Sequence, residues 1–199
     1  MKNPQFSIIV PAHNSAAFLG RALGSIRRQT VSNYELIVVA DACTDNTAEV
    51  AEWYTDTIIE TKFGMDGLAR NAGLDAAAGE WILFMDDDDW WMHNYVLEEI
   101  RKAIRPDVDM LVFDFIWNQC CYYRNTDQLM NIAVWSKAFR RELIGETRFP
   151  AIPFTSDKPF MDEILKKRPT VHAMNELMYF YNYMREGSQT EIDRRKKDV

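Results

Sequence analysis

The chain has 199 residues and a formal net charge of −7, with 23 Lys and Arg against 30 Asp and Glu. An apolar fraction of 47% can form a core, which excludes a disordered chain, and three cysteines do not suit a disulfide-stapled scaffold or a zinc site. The acidic balance also argues against a nucleic-acid partner, which needs a basic surface to release phosphate counterions, and the length predicts one domain.

The first half of the chain alternates apolar runs with amphipathic ones. The runs predict strands over 6–12, 35–40, 57–60 and 81–85. Apolar spacings of three and four predict helices over about 15–29, 46–54 and 66–78. We expect Ser15 and Thr44 to cap the first two helices and Gly79 to follow the third as its C′ residue. Because each strand is apolar throughout, we expect a parallel sheet with helices on both faces.

The second half is less regular and predicts antiparallel additions to the same sheet rather than a second domain. Helices are expected over about 93–104, 136–144 and 157–168, with Gly145 after the second and with Ser156 and Asp157 capping the third. Strands are expected over 109–116, 121–123, 170–174 and 177–184.

Polar clusters follow two of the predicted parallel strands, at the edge where such sheets bind ligands. Asp41 and Asp45 follow the second strand, and we expect Asp45 to be a helix-start carboxylate rather than a ligand. Four consecutive aspartates, Asp86–Asp89, follow the fourth strand. Each close pair of carboxylates costs on the order of 4 kcal/mol at about 4 Å and an effective dielectric near 20, before solvent relief.

Strand alternation places Asp86 and Asp88 on one face, an oxygen-rich site that suits Mg²⁺ or Mn²⁺ shared with substrate phosphates. The alternative for the aspartate run is a solvated acidic turn that caps the next helix, with Asp89 as the cap.

The chain also carries a series of motifs in a fixed order. Over about the first 110 residues they are SIIVPAHNSAAFLGRALGSIRRQT, ELIVVADACTDNT and GLARNAGLDAAAGEWILFMDDDDWW. Further along they are WSKAFRRELI, RFP, SDKPF and YFYNYMREGSQT. In order and spacing they resemble the family 2 glycosyltransferases of the GT-A fold. The resemblance implies an α/β, Rossmann-like three-layer sandwich with a mostly parallel sheet and antiparallel additions in the C-terminal half.

The resemblance implies one GT-A glycosyltransferase domain over 1–199. About 1–110 would bind the nucleotide-sugar and the metal, and about 111–190 the acceptor. The implied enzyme is an inverting, metal-dependent transferase in cell-surface polysaccharide or glycoconjugate synthesis. It would move a sugar from a nucleotide-diphosphate sugar, usually a UDP- or dTDP-sugar and here a UDP-sugar, to a hydroxyl of a saccharide or lipid-linked saccharide, with Mn²⁺ or Mg²⁺ as cofactor.

Residue by residue, the resemblance assigns roles to motif positions. The implied nucleotide-sugar contacts are Pro11, Ala12, His13, Asn14, Asp41, Arg70, Asn71, Asp86, Asp87 and Arg185. Asp86 and Asp88 match metal ligands, and Asp157 matches the catalytic base, with Asp162 and Glu163 as rival acids. The departures are His13 for Tyr, Ala40, Ala42 and Cys43 for Asp, Gly and Ser, and Ser156 for Glu.

Two other function classes stay open. The departures favour a catalytically degenerate nucleotide-sugar-binding protein. A nucleotidyltransferase uses a similar sheet and paired carboxylates, but it would normally carry a Gly-rich basic loop where this chain has PAHNSAAF.

The compartment is predicted from what the sequence lacks. Cysteines expected to be reduced, no N-terminal signal peptide and no apolar run near the roughly 18–20 residues of a membrane span predict a cytoplasmic protein. The basic run at 194–197 is typical of a solvated terminus and also suits contact with an anionic membrane at its inner face.

Overall fold

The computed structural model describes residues 4–55, 57–117 and 132–182, and the backbone of 121–123. The first half forms strands and helices close to their predicted bounds. They are β1 (Phe6–Ala12), α1 (Ala16–Arg27), β2 (Tyr34–Asp41), α2 (Thr47–Glu52), β3 (Thr57–Thr61), α3 (Asp66–Ala76) and β4 (Trp81–Phe84).

The second half adds five strands to the same sheet, together with three helices. They are β5 (Trp90–Trp91), α4 (Val96–Ala103), β6 (Met110–Trp117), β7 (Cys121–Tyr123), β8 (Lys137–Arg140), α5 (Arg141–Ile144), α6 (Asp157–Lys166) and β9 (Val171–Tyr181). A single 3₁₀ turn, Val134–Ser136, leads into β8.

Within the described residues the sheet has nine strands in the order β3-β2-β1-β4-β8-β6-β9-β5, with β7 paired to β6. Strands β1 to β4 are parallel, whereas β8 runs antiparallel between β4 and β6, and β9 is parallel to β6. This confirms a largely parallel sheet with antiparallel additions in the second half. The chain passes from one side of β1 to the other between β3 and β4, so the topological switch point lies at the carboxyl ends of β1 and β4.

Alternate residues of the central strand β1 pack on opposite faces of the sheet. Ile8 and Val10 belong to the core cluster that includes α1 and α4, and Ile9 belongs to a second cluster with Phe160 of α6. The sheet is therefore covered by helices on both faces, as its continuous apolar strands predict.

Several local predictions were wrong. Residues 136–144 are not one helix, because 137–140 pair as β8 with β4 and β6, and tertiary pairing overrides local pattern there. Residues 170–174 and 177–184 are not separate strands, because β9 is continuous and shifts register opposite β6. Gly79 is not the C′ residue, since α3 ends at Ala76 and its C-cap residue, Ala77, already has extended backbone.

A different feature of the fold requires glycine at position 79. A Cβ there would lie 2.5 Å from the backbone nitrogen of Ser7, so the close approach of this turn to β1 requires glycine. Ser15 stands at the N-cap position of α1, as predicted, although its side chain makes no cap hydrogen bond. The prediction of Thr44 as a cap was wrong, because Asn46 holds the N-cap position of α2. Of the helices that the structure describes, none has the length and hydropathy needed to span a bilayer.

Candidate active site

The loop after β1 is tied to the loop after β2 at the switch point. The Asn14 side-chain oxygen accepts hydrogen bonds from the backbone N–H groups of Thr44 at 2.7 Å and Asp45 at 3.3 Å. His13 lies with Nδ1 2.7 Å from the Asp41 carbonyl oxygen and Nε2 3.3 Å from the Asn14 amide nitrogen. Since a carbonyl only accepts, Nδ1 carries the proton and Nε2 accepts. Both side chains are exposed at this edge.

Of the other two residues predicted in this segment, Pro11 and Ala12 are buried within β1. Only their backbone can face a ligand. Asp45 is a helix-start carboxylate, as predicted, since its two oxygens accept the N–H groups of Thr47 at the start of α2 and of Ala16 at the start of α1, at 3.1 and 3.2 Å.

Asp41 is buried at the end of β2 and orders the loop that leads to α3. Its carboxylate accepts hydrogen bonds from the Thr61 hydroxyl at 2.9 Å and from the N–H groups of Phe63 and Met65 at 2.6 and 3.0 Å. This structural role was not predicted from the sequence, and the nucleotide-sugar contact of Asp41 stays a prediction. The next residue, Ala42, has φ +51°, a backbone that glycine adopts most easily, so this departure from the resembled motif stores strain.

The four aspartates form a turn after β4, in which the Asp89 N–H donates to the Asp86 carbonyl at 3.2 Å, so the strand alternation predicted for Asp86 and Asp88 does not reach them. Asp87 accepts the backbone N–H of His13 at 3.1 Å, which joins the cluster to the loop after β1. Asp88 is largely buried, and its carbonyl accepts Arg21 Nη2 at 3.0 Å.

Asp89 is fully buried and accepts the Tyr179 hydroxyl at 2.6 Å and the Asn182 N–H at 2.7 Å. The alternative of a solvated turn with Asp89 as a helix cap was therefore wrong. Burial, with repulsion from Asp86 and Asp88, raises the pKa of Asp89 well above its usual range. The same Tyr179 hydroxyl accepts the backbone N–H of Asp86 at 3.2 Å, so β9 fixes both ends of the aspartate run.

Arg70 gathers three carboxylates around one buried guanidinium. The residue is only 4% exposed. Its Nη2 lies 2.7 Å from Asp86, and its Nη1 lies 2.5 Å from Asp66 and 3.5 Å from Asp157. The nucleotide-sugar contact that the resemblance implies for Arg70 stays a prediction, and in this structure its guanidinium orders carboxylates. Burial raises the pKa of Asp86 to about 7, while Arg70 acts in the opposite direction.

Asp66 was missed by the sequence reasoning, although a signal for it exists. It lies four residues before Arg70 on α3, the spacing at which side chains of one helix meet. Its other contact is Ser156, whose hydroxyl lies 3.3 Å from both carboxylate oxygens. A Cβ on Gly67 would lie 2.9 Å from that of Ser156, so glycine permits the close approach of α3 and α6.

Asp157 begins α6 and faces the Arg70 cluster. Its side chain is 18% exposed, and its Oδ2 accepts the Val134 N–H at 3.2 Å. Burial raises the pKa of Asp157, and the neighbouring Arg70 opposes that shift. Ser156 holds the N-cap position of α6, as predicted, without a side-chain cap hydrogen bond, and Asp157 is the first residue of the helix rather than its cap. The rival acids lie on the exposed side of α6, where Asp162 pairs with Lys158 and Glu163 with Lys166.

The Asn71 side chain is bonded to the backbone of Phe149. Its amide nitrogen donates to the Phe149 carbonyl and its oxygen accepts the Phe149 N–H, both at 2.9 Å. The side chain thus fixes the loop before α6, and its predicted donor contact stays a prediction. Arg185 and the basic run at 194–197 lie outside the described residues.

The donor set at the aspartate cluster fits a hard divalent cation completed by a ligand. Asp86 and Asp88 offer carboxylate oxygens, and one oxygen of Asp86 is already bonded to Arg70. Across the described ranges, no group of three or more His, Cys, Asp or Glu side chains could hold an ion alone. Mg²⁺ and Mn²⁺ are commonly bound by one or two carboxylates with phosphates supplying further oxygens, which matches this arrangement.

The chain is similar to known glycosyltransferases in sequence and in fold. The family model for glycosyl transferase family 2 matches residues 7–167. A PGL/p-HBAD biosynthesis glycosyltransferase of Mycobacterium tuberculosis is 40% identical over 73% of this chain and 62% of its own length. Glycosyltransferase GlyA of Streptococcus pneumoniae is 24% identical over 94% of this chain and 32% of its own length. The chain thus spans one third to two thirds of these relatives.

Solved structures share the fold. The structure of S. aureus TarS 1–349 in complex with UDP-GlcNAc has a TM-score of 0.83 at 24% identity, over 94% of this chain and 60% of that one. A mannosyltransferase from Pyrobaculum calidifontis, in complex with GDP-Man and Mn²⁺, has a TM-score of 0.76 at 20% identity, over 98% and 61%. These matches confirm the three-layer GT-A fold that the motifs imply.

Proposed function

The chain belongs to glycosyl transferase family 2, and on that premise we propose that it moves a sugar from a nucleotide-diphosphate sugar to an acceptor hydroxyl. One observation carries the proposal. Arg70 holds Asp86 and Asp157 in one cluster. Asp86 follows β4, where we expect the donor, and Asp157 matches the catalytic base of the family.

A UDP-sugar is the proposed donor, for cell-surface polysaccharide or glycoconjugate synthesis in the cytoplasm. Support comes from TarS, which has been solved with UDP and with UDP-GlcNAc and is named a poly(ribitol-phosphate) beta-N-acetylglucosaminyltransferase. We place the donor over the ends of β1, β2 and β4, within about 1–110, and a saccharide or lipid-linked acceptor within about 111–190.

Asp86 and Asp88 are the proposed holders of Mn²⁺ or Mg²⁺. Such an ion supplies charge stabilisation for the diphosphate as it leaves. The fit of the donor set supports this assignment, and the Mn²⁺ in the mannosyltransferase structure is consistent with it.

In the proposed reaction, Asp157 accepts the proton of the acceptor hydroxyl. The acceptor oxygen forms a bond to the anomeric carbon while the bond from that carbon to the diphosphate oxygen breaks, and the diphosphate departs with the electron pair. Attack opposite the leaving group inverts the configuration in one displacement. Arg70 assists by favouring the ionised form of Asp157, since a nearby cation lowers the pKa of a carboxyl.

Asp157→Asn tests this assignment. The amide keeps the shape of the side chain but cannot take a proton, so transfer should fall by about 10²–10⁴-fold while donor binding is retained. The measurement is release of the nucleoside diphosphate from a panel of nucleotide-sugars with Mn²⁺ and saccharide acceptors.

The matched control is Asp162→Asn on the exposed side of the same helix, which should transfer at the wild-type rate. Turnover by Asp157→Asn equal to that of the wild type would remove Asp157 from the role. Donor binding by the wild type with no transfer or hydrolysis would indicate a nucleotide-sugar-binding protein instead.

A further inference from the structure

Lys137 is a fully buried lysine that the proposed reaction does not use. It is the first residue of β8, and its side chain is 0% exposed. Its ammonium donates to the Ala133 carbonyl at 2.7 Å and to the Ser136 hydroxyl at 3.3 Å. No ion pair among the described residues involves Lys137, although a buried ammonium is costly without a carboxylate partner.

The Ala133 carbonyl leads from Lys137 to Asp157. That carbonyl and the Val134 N–H belong to the same peptide group, and the Val134 N–H donates to Asp157 Oδ2 at 3.2 Å. A trans peptide is planar, and its C=O and N–H point in opposite directions. The ammonium and the carboxylate therefore bond to opposite ends of one peptide dipole. Hydrogen bonds arranged in such a chain polarise and strengthen one another.

We infer that Lys137 is a positioning residue for the proposed base, acting on the Asp157 carboxylate through the peptide group between Ala133 and Val134. The inference rests on the proposed function. With Arg70 beside Oδ1 and the Val134 N–H on Oδ2, the carboxylate is held from two sides. Lys137 fixes the second side and favours the charged form that can accept a proton.

The charged groups around Asp157 come from three other elements. Arg70 and Asp66 face it from α3, Asp86 from the segment after β4, and Lys137 from β8. Arg70 and Lys137 lower the pKa of Asp157, whereas burial and Asp66 raise it. Loss of the ammonium thus leaves Asp157 protonated to a higher pH. Burial lowers the pKa of Lys137 itself to about 7, so the ammonium is charged mainly below that pH.

The test compares Lys137→Met and Lys137→Gln with the wild type. Methionine fills the volume without a charge or donor, and glutamine restores a donor without a charge. For Lys137→Met we expect kcat at pH 6 to fall about tenfold, the acid limb of the kcat–pH profile to move up by about one unit, and the Kd for UDP-sugar with Mn²⁺ to stay unchanged. Lys137→Gln should keep the shifted limb and recover kcat only at alkaline pH.

The control is Lys158→Met, which removes an exposed lysine of α6 and should leave the profile unchanged. An unshifted limb in Lys137→Met, or full rescue by glutamine, would overturn the inference. If Lys137→Met does not fold, the pH titration of the Asp157 carboxyl by ¹³C NMR in Lys137→Gln decides the point, and a midpoint equal to that of the wild type contradicts it. Failure of the proposed function is distinguished from failure of this inference by other results, namely no transfer by the wild type or full transfer by Asp157→Asn.

Discussion

At the scale of the residue, the site depends on the charge balance around Arg70. This guanidinium is the cation in contact with Asp66, Asp86 and Asp157. Removing one partner of a buried ionic cluster leaves the others uncompensated, which costs more than losing a surface pair.

We therefore expect Arg70→Met to lower the free energy of unfolding by about 3–5 kcal/mol at pH 8. The defect should be smaller at pH 5. Without the guanidinium, the folded-state pKa values of Asp86 and Asp157 lie further above their unfolded values. As the pH falls through these values, the two carboxyls of the folded protein bind protons, and the loss of stability caused by their buried charges becomes smaller. Urea unfolding at both pH values measures this.

The control for Arg70 is Arg148→Met. Arg148 pairs with Asp75, which is 65% exposed, so its loss should cost at most about 1 kcal/mol. A cost for Arg70→Met no greater than that of the control would show that the buried cluster does not need its cation.

Single residues also show how far the sequence could predict the site. The motifs indicated Asp86, Arg70 and Asp157, and the structure brings these three together. Asp66 was open to prediction from its spacing to Arg70. Tyr179 was not, because it meets the aspartate run from 90 residues further along the chain, and only the pairing of β9 with β5 and β6 brings it there.

At the scale of the element, the close approach of α3 and α6 brings Arg70 to Asp157. Gly67 is the contact residue on α3, since a Cβ there would lie 2.9 Å from the Ser156 Cβ and 3.0 Å from the Phe149 Cβ. Gly73, on the same helix, packs instead against the Ile9 side chain of β1.

Gly67→Ala should force the two helix starts apart, at a cost of about 1–3 kcal/mol in stability, and should lower transfer per folded molecule. Gly73→Ala also overpacks α3, so it should lose stability but retain transfer per folded molecule. Thermal unfolding combined with transfer rates of the folded fraction measures both. Equal retention of transfer by the two variants would contradict a role for the α3–α6 approach.

Elements were predictable where the apolar pattern was continuous. The strands β1 to β4 and helices α1 to α3 follow runs of hydrophobic residues that fit one period, and their bounds lie close to prediction. β8 was not predictable in this way, because Lys137–Arg140 has a mixed, basic sequence and becomes a strand only by pairing on both sides with β4 and β6.

At the scale of the whole molecule, four of the 30 acids form one run at the switch point of the sheet. Arg70 neutralises part of that charge, and burial opposes the charged forms of Asp86 and Asp89. A divalent cation would offset the remaining negative charge of the aspartate run, and the diphosphate of a donor would complete its ligands. Metal binding and donor binding would then depend on each other.

Titration calorimetry of the wild type and Asp88→Ala with UDP, in the presence and absence of Mn²⁺, tests this most directly. We expect the wild type to bind UDP tightly only with Mn²⁺, Asp88→Ala to lose that metal-dependent binding, and Asp107→Ala, an exposed acid away from the cluster, to match the wild type. Mn²⁺-dependent binding of UDP by Asp88→Ala with the heat and affinity of the wild type would contradict the placement of the donor at the aspartate run.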